Sequence, residues 1–320
     1  MALRYTAASS AEHAVSLLVA PRARVLGGGT DLLGAMEAGL DAASALVDLT
    51  KSPDLVAIRE MPSGDLHIGA AARLDDIAAH PAVGARFPLL AEALRSVGTP
   101  ALRAMGTLGG NLGQRPRCWY LRSRIPCLKN GAAGCPADLG ENQYHAVLGS
   151  GPCRAAHPSD AAVALLALDA TVRIRGPAGA RTLAVDALYE RAASDPEREV
   201  ALGADEIIEA VELPAAASGG TQRFVKLMQR GAWDFATVSL AAVRRSDATV
   251  RLVLGGVAAG PWRVTPSVEE DAASGALDEE SADSLAERAL HDARPLSGNA
   301  YKVKQAAALL RRALLDLSRA

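Results

Sequence analysis

Apolar positions in the first half of the chain come in short runs divided by glycine-rich or polar turns. "ARVL" (23–26) is one such run and suits a buried strand. Gly27, Gly28 and Gly29 follow it, then Thr30 and Asp31. Residues 31–38 predict a short helix, with Thr30 or Asp31 as its N-cap and Gly39 as its stop. "ALVDL" (45–49) is a second strand, which makes a small βαβ unit with a glycine-rich turn. "LVAIRE", "PSGD" and "LHIGAAA" predict a hairpin over 55–71, and helical spacing recurs near 74–79 and 89–97. "HPSDAAVALLALDATVRIRG" predicts a helix over about 159–168, capped by Ser159 or Asp160, leading into a strand over about 170–175.

"GPAGAR" (176–181) is a turn, and the domain boundary is expected near it. The runs "EIIEAVELP", "RFVKLMQR", "ATVSLAAVRR" and "TVRLVLGGVA" beyond it are β-branched and spaced as an antiparallel sheet. The last 40 residues predict two amphipathic helices joined by the "PLSGN" turn.

Composition narrows the class. The 320 residues are 49% hydrophobic and 22% charged, which is globular, and long enough for two domains. A net charge of -2 with 3% aromatic residues argues against nucleic acid as a partner, because neither a basic surface nor a stacking platform is provided. No apolar run reaches the roughly 18 residues of a membrane span, and the N-terminus lacks the layout of a signal peptide. The chain by its own sequence is expected to be cytoplasmic, with a periplasmic destination open through co-export with a signal-bearing partner.

All four cysteines, Cys118, Cys127, Cys135 and Cys153, fall in one 36-residue stretch with the spacing C-x8-C-x7-C-x17-C. A chain this large needs no disulfide staples. The spacing lacks the C-x2-4-C knuckles usual in structural zinc sites. An iron–sulfur cubane takes thiolates from widely spaced loop positions. Arg115, Arg117, Arg122, Arg124, Lys129 and Arg154 lie in or beside the stretch and suit its residual negative charge, while Trp119 and Tyr120 suit a shield from water. Disulfides, zinc, a cluster and free structural thiols all remain open on spacing alone.

"LGGGTDL" lies between a strand and a helix, and "GTLGGNLG" (106–113) is a second glycine cluster. Neither is G-x-G-x-x-G or a P-loop, but two such backbone nests in one domain suggest a cofactor with a pyrophosphate. No hydrolase motif stands out, and the six histidines are scattered. Lys226 is a charge on a strand-like run, read either as an exposed position or as a cation near a flavin or phosphate.

These pieces together resemble the FAD-binding medium subunit of molybdenum hydroxylases, the xanthine dehydrogenase family. The residues that carry the resemblance are "LGGGTDL" (26–32), "GTLGGNL" (106–112), "HPSDAAVALLALDA" (157–170) and "KLMQRGAWDFATVSLAAVR" (226–244). The cysteine segment resembles a subset of that family: periplasmic aldehyde oxidoreductase FAD subunits and 4-hydroxybenzoyl-CoA reductase β subunits. The third glycine of "LGGGTDL" departs from relatives that often carry alanine there.

The resemblance implies an α+β fold. It comprises a two-part FAD-binding domain of the vanillyl-alcohol-oxidase (PCMH) type over 1–178, carrying the cysteine segment at 115–156, and a smaller α+β domain of the CO-dehydrogenase-flavoprotein type over 179–320, with an antiparallel sheet and helices. It implies that Leu26, Gly27, Gly28, Gly29, Thr30, Asp31, Leu32 and Leu33 cradle the FAD pyrophosphate. Thr107, Gly110 and Asn111 form a second contact, Ser159 and Asp160 reach the flavin or ribityl region, and Lys226 touches FAD. Cys118, Cys127, Cys135 and Cys153 match the ligands of a [4Fe-4S] cluster, and no catalytic residue is expected in this chain. The implied partners are a large molybdenum-cofactor subunit, a small [2Fe-2S] subunit and an external electron acceptor. The expected function is electron transfer within an aldehyde oxidoreductase. The alternatives are a 4-hydroxybenzoyl-CoA reductase-like or xanthine dehydrogenase-like complex and, from another class, a zinc-binding scaffold subunit.

Overall fold

The computed structural model describes residues 2–149 and 151–319, with residues 191–194 described as backbone only. The chain begins with a three-stranded parallel sheet of β1 (Arg4–Ala7), β2 (Ala23–Leu26) and β3 (Ala45–Asp48), in the order β1-β3-β2. Central β3 is buried at all four residues, as a strand covered on both faces must be. The Ala11–Leu17 helix connects β1 to β2, with the Ser10 hydroxyl accepting from the His13 N–H as its cap. The Leu32–Glu37 helix connects β2 to β3. The predicted βαβ unit is therefore present.

A five-stranded antiparallel sheet follows. Its strands are β4 (Ile58–Glu60), β5 (Leu66–Gly69), β6 (Thr171–Gly176), β7 (Gly179–Ala184) and β8 (Ile207–Leu213), in the order β4-β5-β8-β6-β7. The β4–β5 hairpin agrees with the sequence. The position of β8 does not: "EIIEAVELP" was expected in the C-terminal sheet, but β8 inserts between β5 and β6, antiparallel to both. Five of its seven residues are buried, and its apolar run matches any covered antiparallel strand, so its sequence does not say which sheet it joins. The expected boundary at 178 falls within the β6–β7 hairpin, while this sheet continues to Leu213.

The C-terminal sheet is β9 (Thr221–Leu227), β10 (Val238–Arg244), β11 (Val250–Gly255) and β12 (Trp262–Arg263), ordered β12-β11-β10-β9 and antiparallel throughout. The alternation of a strand sends Val238, Leu240 and Ala242 into a core with the Glu279–Ala289 and Tyr301–Ser318 helices. It sends Ala241 and Val243 the other way, into the core beneath the five-stranded sheet. Between the two sheets runs the Asp160–Ala167 helix, "DAAVALLA", buried at all eight residues. A helix apolar all round is one with neighbours all round.

Candidate cofactor sites

The two glycine clusters meet. A Cβ at Gly28 would overlap the Met105 carbonyl, and one at Gly27 would overlap the Thr107 hydroxyl, so the first loop lies directly on the second. Gly29 turns the chain with φ +75. Thr107 caps the Leu108–Leu112 helix, accepting from the Gly110 N–H at 3.3 Å. The loops form one wall of a cavity of about 520 Å³, lined by Gly27, Gly28, Gly29, Thr30, Asp31, Leu32, Thr107 and Gly110. The 197–208 segment also lines it. Gaps with small residues and backbone on one side suit the close approach of a diphosphate.

Leu26, Leu33, Asn111, Ser159, Asp160 and Lys226 do not line this cavity. Asn111 accepts from the Ser159 hydroxyl at 2.6 Å, which ties the second glycine loop to the cap of the buried helix. The Lys226 ammonium lies 2.7 Å from the Asp160 carboxylate, with side-chain exposures of 4% and 5%, and also donates to the Ser96 carbonyl. Burial pushes the Asp160 carboxyl up, with Lys226 pulling against it. Lys226 and Asp160 thus face each other across the junction of the two large cores.

Asp31 leaves the glycine loop for the cysteine segment. It accepts from the Arg115 N–H at 2.9 Å and meets Arg117 at 2.9 Å and Arg122 at 2.8 Å. Burial is the largest influence on its carboxyl and pushes upward, but Arg117, the Arg115 N–H and Arg122 outweigh it and hold the pKa below the ordinary range. Glu199, which also lines the cavity, meets Arg115 at 3.2 Å and buried Lys129 at 3.3 Å. Two carboxylates that line the cavity therefore pin the cysteine segment to it. The expected cluster-facing cations are mostly braces, because Arg154 likewise pairs with Asp138 at 2.8 Å. Among the six, Lys129 lines the cavity that the cysteines share.

All four cysteines are free thiols, and all four line that one small cavity with Leu121, Lys129 and Tyr120. Cys118, Cys127 and Cys135 each immediately precede a helical turn, Trp119–Arg122, Leu128–Asn130 and Pro136–Asp138. At Cys127 that placement aims a backbone N–H at sulfur, which accepts from the Asn130 N–H. Burial pushes the Cys118 and Cys153 thiols up, opposed by the N–H groups of Leu121 and Tyr120 at Cys118 and of Ala155 at Cys153. His145 brings Nε2 to 3.3 Å from the Cys118 sulfur, and burial pushes its pKa down to about 4. Among the described residues, no three His, Cys, Asp or Glu side chains are gathered closely enough for a single metal ion.

Sequence reasoning missed Glu199 and His145, whose roles depend on neighbours distant in the chain. His157 is buried, with its pKa pushed down to about 3 by burial, and packs edge-on to Tyr189. Among the described residues, no helix is long and apolar enough to cross a membrane.

Residues 1–216 match the FAD binding domain in molybdopterin dehydrogenase, and residues 223–317 match the CO dehydrogenase flavoprotein C-terminal domain. The chain is 36% identical over 297 residues to the aldehyde oxidoreductase FAD-binding subunit PaoB of Escherichia coli (strain K12), covering 92% of this chain and 91% of that one. It is 28% identical over 320 residues to the carbon monoxide dehydrogenase medium chain of Hydrogenophaga pseudoflava, covering 97% and 95%. A solved carbon monoxide dehydrogenase from Hydrogenophaga pseudoflava, lacking the Mo-pyranopterin moiety, superimposes with a TM-score of 0.75 at 26% identity, covering 100% of this chain and 98% of that one.

Proposed function

The chain belongs to the FAD-binding medium-subunit family of molybdenum hydroxylases, and from that premise we propose that it is the electron-transfer subunit of a heterotrimeric aldehyde oxidoreductase. In this reading FAD occupies the cavity lined by the glycine loops and the 197–208 segment, and the four cysteines hold a [4Fe-4S] cluster. The partners are a large molybdenum-cofactor subunit, where substrate is oxidised, and a small [2Fe-2S] subunit, with an external acceptor taking the electrons.

One observation carries the reading: four free cysteines, scattered over 36 residues, converge on a single cavity beside the glycine-lined one. The donor set fits a cubane, whose corners need separated thiolates, with backbone N–H groups directed at sulfur. The spacing C-x8-C-x7-C-x17-C, without the tight C-x2-4-C pairs of structural zinc sites, disfavours zinc. Gly27, Gly28 and Gly29 offer backbone to the diphosphate, Thr107 fixes the second loop, and Asp31 and Glu199 hold the cysteine segment against the cavity. When bound, FAD supplies the exchange between one-electron and two-electron chemistry. The likeness to an aldehyde oxidoreductase subunit supports aldehyde as the substrate class.

The test is a cofactor count on the purified complex. One FAD is expected per chain, with four irons and four labile sulfides beyond those of the small partner, and a matching electron paramagnetic resonance signal on reduction. Zinc in place of that iron would assign the segment to a scaffold role, and absence of FAD would overturn the cavity assignment.

A further inference from the structure

The cysteine cavity is bordered by a histidine that the cofactor reading does not use. His145 is 3% exposed and its Nε2 lies 3.3 Å from the Cys118 sulfur. Its other ring nitrogen, Nδ1, is buried with no well-aligned hydrogen-bond partner among the described residues, although the Asn142 carbonyl lies close to the ring. That carbonyl already accepts from the His145 backbone N–H, so a proton on Nδ1 would be a poorly satisfied buried donor, while one on Nε2 faces sulfur. A metal-bound thiolate accepts and does not donate, which matches that tautomer.

His145 is held by two rings against its own and by bonds to its backbone. Trp119 and Tyr120 pack against it at centroid distances of 5.8 and 5.9 Å. The His145 N–H donates to the Asn142 carbonyl at 3.0 Å. Its carbonyl accepts from Asn299 at 3.2 Å and from Lys302 at 3.0 Å. Lys302, 1% exposed, also donates to the carbonyls of Tyr144 and Gly256. Lys302 lies on the C-terminal helix Tyr301–Ser318. The second domain therefore anchors the backbone of the residue that sits beside the Cys118 sulfur.

We propose that His145 is a positioning residue of the cluster site, donating its Nε2–H to the Cys118 sulfur and so raising the cluster's reduction potential, with Trp119 and Tyr120 packing the ring and Asn299 and Lys302 anchoring its backbone. The inference rests on the [4Fe-4S] reading. Hydrogen bonds to a cluster's sulfurs stabilise the more negative, reduced state.

The experiment is a redox titration of the purified complex, followed by electron paramagnetic resonance, for the wild type, His145→Gln and His145→Phe, with iron counted in each. His145→Phe should keep its iron and become about tenfold harder to reduce, a shift of about 59 mV for a one-electron couple. His145→Gln, which retains a donor, should recover most of that shift. Equal potentials in all three, or equal shifts in both variants, overturn the proposal. If His145→Phe loses iron, the wild type with 15N-labelled histidine decides: a histidine nitrogen coupled to the reduced cluster supports the bond, and none overturns it. A wild type without the four extra irons fails the cluster reading instead, a result distinct from any of these.

Discussion

Asp31 shows what a single residue can hide. In sequence it is a helix cap or part of a phosphate cradle, but its carboxylate accepts from groups 84 and 91 residues away. No local pattern carries that information. The glycines before it were legible as points of close approach, yet what approaches Gly28 in the structure is the Met105 carbonyl. Asp31→Asn should remove the charge that Arg117 and Arg122 share, at a cost of about 1.5–3 kcal/mol. Because the folded-state pKa is lowered, this stability is present above the unfolded value near pH 4 and is lost as pH falls through the folded one. Urea denaturation should therefore separate wild type from Asp31→Asn between pH 5 and 8 and bring them together in acid. A gap independent of pH would remove the charge from the explanation.

At the scale of elements, the βαβ unit and the 58–69 hairpin were readable from local turns and periodicity, and the helix at 160–167 from its Ser159 cap as well. β8 was not, since its partners β5 and β6 are chosen by tertiary packing. The cysteine segment was legible as chemistry and illegible as architecture. Its described residues form only single helical turns, and it takes its order from Asp31 and Glu199 outside it. Linkage is reciprocal, so whatever orders the segment should tighten the cavity walls that the same carboxylates hold. Cys135→Ser should lose the cluster iron and, in addition, bind FAD about tenfold more weakly, equivalent to about 1.4 kcal/mol. Flavin binding at the wild-type level in an iron-free Cys135→Ser complex would make the two sites independent.

For the whole molecule, the Asp160–Ala167 helix makes two domains share one interior, with Ala161–Ala167 packed in the same core as Ala241, Val243 and Val253 of the C-terminal sheet. The Lys226–Asp160 pair is the one charged contact set inside that junction among those described with both side chains at or below 5% exposure. A buried ion pair adds little over an apolar pair of similar volume, but half of one is costly. Lys226→Met should lose about 3–5 kcal/mol, because it strands the Asp160 carboxylate in the interior. That carboxyl is already pushed up by burial, so the loss should shrink as pH falls toward the unfolded value near 4, where Asp160 enters the fold neutral. Adding Asp160→Leu to Lys226→Met should restore most of the stability at neutral pH, which a double-mutant cycle in urea measures directly. A role for Lys226 confined to flavin contact predicts the opposite pattern: weaker flavin retention in Lys226→Met, little change in unfolding, and no rescue by the second substitution.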